Sequence, residues 1–365
     1  MIVYQAPWNW ATLENRSQPL ARALAKHTDV VYLDLTPPSV WDSPGQKSGL
    51  HRLDAHLWLF TWPRRLIRSR NIAVHFDRSE NDYKTLGNAL SSICPPDGRL
   101  VLLNSRPAAE RLRTFYAWHR ILVDVEDPWW DLAWGSKVVA SGALERTLRH
   151  ADFIFANGTK LLPRIRSITD RPAESLPNAI DVAFGERIAS QPRMVHPRRL
   201  CAGFIGTIND RLDPDFLVEL VDTFPDIDFR FVGPVILAGA KRRSWKALFG
   251  RNNFQYLAPV SHDDVPEILA AIDILLLPYF NAGGRDMNPA KALEYRCTGK
   301  PVVSTIDISA DYGEGALETK CESRVEFIAA FKAIGRSSIP QQPAALEILW
   351  TWERAATRVL EEVLR

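Results

Sequence analysis

The chain has 365 residues, 46% of them hydrophobic and 24% charged, with a formal net charge of +2. That length exceeds one ordinary core and predicts two domains, while the near-neutral charge excludes a strong nucleic-acid footprint. Four cysteines, Cys94, Cys201, Cys297 and Cys321, stand without C-x-x-C spacing, which excludes a zinc ribbon or disulfide frame and points to a reducing compartment.

The N-terminal MIVYQAPWNW is apolar, short and uncharged, and it meets ATLENRSQ at once. No signal peptide or membrane span is expected, which makes the protein cytoplasmic, or peripheral on a membrane. Apolar runs then alternate with helical patterns. Strands are predicted at 1–5, 29–35, 57–61, 99–104, 120–125 and 153–157, with helices at 15–26, 82–93, 107–117 and 136–150 between them. PNAIDVAFGERIASQPRMVHPRR (177–199), rich in proline and basic residues, breaks the pattern and places a linker at 181–199. Strands resume at 200–206, 227–233, 253–260, 273–279 and 301–305, with helices at about 213–223 and 263–271, and a helical tail spans about 344–364. The alternation predicts an α/β protein with two Rossmann-like, doubly wound domains facing a central cleft, 1–180 and 200–345, with a helix over 346–365 after them. Ligands of such folds sit at the carboxyl ends of strands. Gly206, Gly233, Val260 and Tyr279 stand at those positions.

The stretch RDMNPAKALEYRCTGKPVV (285–303) carries the most chemistry. Asn288 and Pro289 read as an N-cap and first helical residue, and Gly299 as the stop, giving a helix from Pro289 to about Cys297. Lys291 lies in the first turn, where a cation is otherwise disfavoured, so lysine and helix end together suit a phosphate. Glu294, three residues on, shares its face and could accept hydrogen bonds from a ribose diol. A surface Lys–Glu pair on an ordinary amphipathic helix is the plain alternative.

In context, the second half resembles the nucleotide-sugar-binding domain of GT-B glycosyltransferases, the glycosyltransferase family 4-like group. GFIGTINDRLDPDFLVELVDTFPDIDFRFVGPV, NFQYLAPVSHDDVPEILAAIDILLLPY and NPAKALEYRCTGKPVVST follow that family's order and spacing. The P-x-K-x-x-E-Y form is similar to a bacterial subgroup that includes teichuronic acid and xanthan glycosyltransferases. The first half matches more weakly, through NRSQPLARALAKHTDVVYLDL, ADFIFANGTKLL and LPNAIDVAF. The resemblance implies that Lys291 meets the donor diphosphate, Glu294 the ribose, Tyr279 the nucleotide side and the Gly206 loop the phosphates. Thr207, Gly233, Val260, Arg285, Asp286 and Asn288 would complete the donor site, and the resemblance also implies that the helix over 346–365 packs back on the first domain. Asp286 to Glu294 has the family's acid-x7-acid spacing, with aspartate where glutamate is usual.

The family's acidic phrase after its fifth strand is here LVDVEDPWW, with Asp124, Glu126 and Asp127. Asp127, furthest past the strand and before Pro128, is the expected base for an acceptor hydroxyl; the same acids would equally cap and solvate a turn. Nine of twelve tryptophans fall in the first 134 residues. Trp8, Trp10, Trp129 and Trp130 follow strand ends and could stack on an acceptor sugar, or pack in the core. Arg64, Arg65, Arg68 and Arg70 in TWPRRLIRSRN could dock on anionic lipid, or form a solvated loop. The triplets DPD (213–215) and DID (226–228) read as solvated surface, and neither metal nor cofactor is implied.

Together these readings predict transfer of a sugar from a nucleotide diphosphate sugar to a hydroxyl, metal-independent, on a glycan or lipid-linked glycan in bacterial polysaccharide synthesis, with no nucleic-acid partner. A nucleotide-sugar epimerase of the same fold and a non-catalytic binding subunit are the rival readings.

Overall fold

In the computed structural model every residue is described except 12–13, 35–47, 63–77, 108–109, 132–141, 193–198, 238–240, 282–285, 316 and 335–349. The chain divides into two units, Met1–Asn178 with Trp352–Arg365, and Ala179–Thr351.

The first unit runs β1 (Ile2–Gln5), α1 (Ser17–Ala25), β2 (Val30–Leu33), β3 (Gly49–Asp54), β4 (Leu57–Thr61), α2 (Glu80–Ser91), β5 (Val101–Asn104), α3 (Glu110–Phe115), β6 (Arg120–Val125), α4 (Ala143–Arg149), β7 (Phe153–Ala156), α5 (Leu162–Arg166) and β8 (Ala173–Ser175). The sheet order is β3-β4-β2-β1-β5-β6-β7-β8, parallel except for the β3–β4 pair. The central strands are buried on both faces, so they appear in sequence as unbroken apolar runs. β3 and β8 went unpredicted because edge strands half open to solvent carry no such run. α2 starts at a capping box: Ser79 Oγ accepts the Asp82 amide at 3.2 Å and the Asp82 carboxylate accepts the Ser79 amide at 3.0 Å.

The second unit runs α6 (Val182–Ala189), β9 (Cys201–Ile205), β10 (Ile208–Asn209), α7 (Pro214–Thr223), β11 (Asp228–Val232), β12 (Val235–Ile236), α8 (Arg242–Phe249), β13 (Phe254–Leu257), α9 (Val265–Ala270), β14 (Ile274–Leu277), α10 (Lys291–Thr298), β15 (Val302–Ser304), α11 (Ser309–Tyr312), β16 (Glu318–Lys320) and α12 (Arg324–Ala333). Its main sheet is wholly parallel, in the order β13-β11-β9-β14-β15-β16.

The stretch expected as a linker is corrected. Asp181 accepts the Phe184 amide at 2.9 Å and starts α6, whose Phe184 and Ile188 lie one turn apart and bury into the second unit's core. The final helix, α13 (Trp352–Leu364), belongs to the first unit and packs on α1. Its Glu353 pairs with Lys26 at 2.7 Å, and its Arg358 pairs with Glu174.

The Gly299-Lys300-Pro301 turn after α10 has a structural task. Lys300 Nζ donates to the carbonyls of Leu269, Ala270 and Ile272 at 2.7, 2.8 and 2.5 Å, closing the C-terminus of α9 with a buried cation. Replacing Lys300 by methionine strands those carbonyls. Urea unfolding of Lys300→Met should show a loss of about 1–3 kcal/mol with the far-UV spectrum retained.

Candidate functional site

In the second unit the strand order reverses at β9, with β11 on one side and β14 on the other. This switch point opens a crevice at the carboxyl ends of β9 and β14, where doubly wound sheets bind ligands. Gly206 leaves β9 there and Gly233 leaves β11, with φ of 139° and 138°, values that disfavour any side chain. A Cβ on Gly233 would lie 2.3 Å from the Gly206 carbonyl oxygen, and one on Gly206 would lie 2.0 Å from Lys291 Nζ. Gly233 thus lets one loop pass against the other, and Gly206 leaves the space for an ammonium.

That ammonium donates to the Tyr279 hydroxyl at 2.9 Å and sits 4.3 Å from the centre of the Phe204 ring. No carboxylate pairs with it among the described residues, so its charge is met by π-faces and one neutral oxygen. Tyr279 is itself fixed: its amide donates to Thr305 Oγ1 at 2.9 Å, and its ring packs edge-on to Phe204. Beneath, Tyr295 accepts the Ile205 amide at 2.9 Å and binds α10 to β9.

The local start of α10 differs from expectation. The helix begins at Lys291, because Asn288 is buried and engaged elsewhere: it donates to Asp311 Oδ2 at 3.0 Å and accepts from the Tyr312 hydroxyl at 2.7 Å. The amides of Ala292 and Leu293 are taken by the Pro289 and Ala290 carbonyls, each at 3.0 Å. Only the amides of Ala290 and Lys291 remain without a protein partner among the described residues at this end. Asp286 is exposed and precedes the helix, so it does not share a helical face with Glu294, whose half-buried side chain lies one turn past Lys291. Thr207 and Val260 are half-buried beside their strand ends, and Arg285 lies outside the described residues. Both D-x-D triplets hold cations of the fold: Asp213 caps α7 and meets Lys241 at 2.7 Å and Arg324, and Asp228 meets Arg199 at 3.3 Å.

The first unit's order reverses at β1, between β2 and β5. Beyond β5, at the carboxyl end of β6, the acids of LVDVEDPWW separate into three environments. Asp124 is fully buried and takes a bidentate pair from Arg16, Nε to Oδ2 and Nη2 to Oδ1, both at 2.9 Å. Arg16 also donates to the Leu176 carbonyl at 2.7 Å and to Asn178 Oδ1 at 3.4 Å. Glu126, just past β6, is 8% exposed. Its Oε1 accepts from Ser17 Oγ at 2.9 Å and from the Tyr4 hydroxyl at 3.5 Å. Burial first, and the Asp124 charge second, push its carboxyl up to about 8. Asp127 is half-buried, its carbonyl accepting the Trp129 amide at 2.7 Å.

The tryptophans separate too. Trp8 is 47% exposed, and Trp10 lies edge-on to Tyr32 with the Arg22 guanidinium 5.2 Å from its centre. Trp129 is a core residue packed among Val123, Val125 and Leu144, which corrects its assignment to an acceptor surface; Trp130 packs partly buried beside it. Arg64, Arg65, Arg68 and Arg70 lie outside the described residues. Phe204, Arg16, Ser17 and Tyr4 were not singled out from sequence. Phe204 sits inside a buried strand, where an aromatic is unremarkable, and Arg16 meets Asp124 across 108 residues.

Two outcomes follow from this geometry. Gly233→Ala meets a backbone carbonyl and should lower stability by about 2–4 kcal/mol in denaturant unfolding, whereas Gly206→Ala meets only the end of a flexible side chain and should spare more of the fold while displacing the Lys291 ammonium. For Glu126 the folded group holds a proton that the unfolded chain releases near 4.5, so its contribution to stability is present below that pH and is lost as pH rises to about 8. Glu126→Gln should therefore flatten the fall in melting temperature between pH 5 and 8.5 and be the more stable form at the upper end.

No family model matches the chain. A protein of Bacillus subtilis (strain 168), whose name provisionally makes it a teichuronic acid biosynthesis glycosyltransferase, TuaH, is 24% identical over 326 residues, spanning 84% of this chain and 80% of its own length. Among solved structures, sucrose-phosphate synthase from Thermosynechococcus elongatus superposes with a TM-score of 0.73 at 12% identity, over 100% of this chain and 98% of its own. An α,α-trehalose-phosphate synthase (UDP-forming) from Burkholderia xenovorans, in complex with glucose-6-phosphate, does so at 0.66 and 12%, over 100% and 99%. The E. coli trehalose-6-phosphate enzyme bound with UDP-2-fluoro glucose gives 0.63 and 11%, over 100% and 95%. These neighbours are glycosyltransferases of one architecture, and their shared geometry with the two parallel-sheet units shows that this chain has the GT-B fold.

Proposed function

We propose that the chain is a glycosyltransferase that moves a sugar from a nucleoside diphosphate sugar to a hydroxyl of a glycan or lipid-linked glycan in bacterial surface-polysaccharide assembly. The observation that carries this reading is the Lys291 ammonium, held at the β9–β14 switch point over Phe204 and Gly206 with no carboxylate to neutralise it among the described residues. A fixed, uncompensated cation in a glycine-lined crevice is complementary to a diphosphate, and more so to the charge that grows on it as the glycosidic bond breaks. The unpartnered amides of Ala290 and Lys291 add dipoles to the same spot. In this reading Glu294, one turn on, takes the ribose hydroxyls, and Thr207, Gly233 and Val260, each past a strand end, contribute to the donor site.

UDP is the nucleotide we assign to the donor. The support is the UDP-forming synthase and the UDP-2-fluoro glucose complex among proteins of this fold. The acceptor side of the reading rests on the first unit, where Asp127 is the base that takes the proton as the acceptor oxygen attacks the sugar carbon and UDP leaves with the bonding electrons. In this reading Lys291 meets the leaving charge without a metal. The teichuronic acid relative supports a polysaccharide acceptor. Among the described residues no helix is long and apolar enough to cross a membrane. A lipid-linked acceptor would bring the protein to the inner face of the plasma membrane through Arg64, Arg65, Arg68 and Arg70.

Lys291→Ala should lower transfer at least about a hundredfold while melting within a degree or two of the parent. UDP should raise the melting temperature of the parent and not that of the variant. Near-normal turnover in the variant would sink the assignment.

A further inference from the structure

The first unit holds two carboxyl groups and one guanidinium in the same buried cluster. The guanidinium is committed: both of its directed edges bind Asp124, the Leu176 carbonyl and the Asn178 side chain. Glu126 faces Asp124 from its own strand, Tyr4 from β1, Tyr32 from β2, Arg16 and Ser17 from the start of α1, and Asp127 from the turn after β6. Two of these groups are carboxyls, two are phenols and one is a hydroxyl, so among the described residues the only cation in reach, Arg16, is already paired. An ionised Glu126 would be a second anion with no counter-charge, and the cluster favours the neutral acid.

The hydrogen bonds also separate its two oxygens. Oε1 is filled by the Ser17 and Tyr4 hydroxyls, both acting as donors. Oε2 has no hydrogen-bond partner among the described residues, so it is the oxygen left available for a proton. The Asn157 amide group holds the Glu126 carbonyl at 2.8 Å, which fixes the backbone from which this O–H projects. The position lies at the carboxyl end of β6, one strand beyond β5 from the reversal at β1, and the Tyr4 hydroxyl of β1 reaches it; the carboxyl edge of such a sheet is where ligands bind.

We propose that Glu126 is an acceptor-recognition residue, a neutral carboxylic acid whose Oε2–H donates a hydrogen bond to an oxygen of the acceptor sugar. The inference rests on the glycosyltransferase reading and adds a specific division of labour between adjacent acids. Asp127, half open to solvent, is the proton acceptor, and Glu126, enclosed, is a hydrogen-bond donor that orients the sugar. Two carboxyls whose surroundings differ in this way can serve as donor and acceptor at one pH. No proton leaves Glu126 during the reaction, so the transfer balances through Asp127 alone.

The test is binding of methyl glycosides (glucoside, galactoside, N-acetylglucosaminide and glucuronide) to the full chain, read by saturation-transfer NMR from pH 6 to 9.5. At least one should bind at pH 6.5, and its affinity should fall about tenfold for each pH unit above the carboxyl's midpoint near 8. Glu126→Gln, whose amide keeps both the acceptor for Ser17 and a donor at the second position, should bind within a few-fold of the parent and lose that pH dependence. Glu126→Leu should lose binding at every pH. Binding that is level to pH 9.5, binding that tightens above pH 8, or no binding of any glycoside by the folded parent would each overturn the proposal. The UDP melting shift separates this from the transferase reading: a chain that binds a glycoside in this manner but not UDP keeps the Glu126 site and loses the donor assignment.

Discussion

Everything at the crevice of the second unit depends on one close approach, the Gly206 carbonyl lying against the Cα of Gly233. Because two neighbouring loops can touch there, the crevice floor is bare backbone, and Lys291 can lay its ammonium on it. The aromatic faces of Phe204 and Tyr279 then hold the cation at little cost in charge, where an acid would have cancelled it. The rest of the unit keeps these parts in register. Tyr295 joins α10 to β9, Thr305 fixes the turn after β14, and Lys300 closes the helix that feeds that strand. Polar groups that look dispersed in sequence thus serve one local geometry.

The first unit solves a different electrostatic problem. It encloses an aspartate, a glutamate and an arginine together, and the geometry of the guanidinium decides which acid is ionised. A bidentate fork can satisfy only one carboxylate well, and Asp124 has it. The second acid is left to hydroxyl donors, which stabilise an anion less than a cation does. Among the described residues the contrast between the units is therefore a cation left without an anion in one and an acid left without a cation in the other. Both imbalances lie at the carboxyl ends of parallel strands.

The parts of the fold that were legible in sequence are those with a one-dimensional signal. Buried parallel strands appear as apolar runs, and residues just past them, such as Gly206, Gly233 and Tyr279, fall at the crevice by topology alone. Helix α8 was missed because it is short, opens on two arginines and buries only Trp245 and Leu248. The N-cap role given to Asn288 failed because a cap is a local rule, and Asn288 instead bonds to residues 23 and 24 positions further on. The distinction among Asp124, Glu126 and Asp127 could not be read locally either. It depends on Arg16, which reaches Asp124 across the sheet, and adjacent letters in LVDVEDPWW give no sign of which acid that arginine will choose. Trp129 likewise looked available at a strand end, and burial against Leu144 removed it.

The order of synthesis adds a constraint that the folded molecule conceals. The second unit is inserted into the first, and its entry and exit lie side by side, Ile180 donating to the Trp350 carbonyl at 3.0 Å and pairing with Thr351. The helix that covers α1, from Trp352 to Leu364, leaves the ribosome after the whole second unit. Until then the buried face of α1 lacks the helix that packs on it in the finished unit. The inserted unit has all its strands available earlier, so the unit begun first is the one completed last.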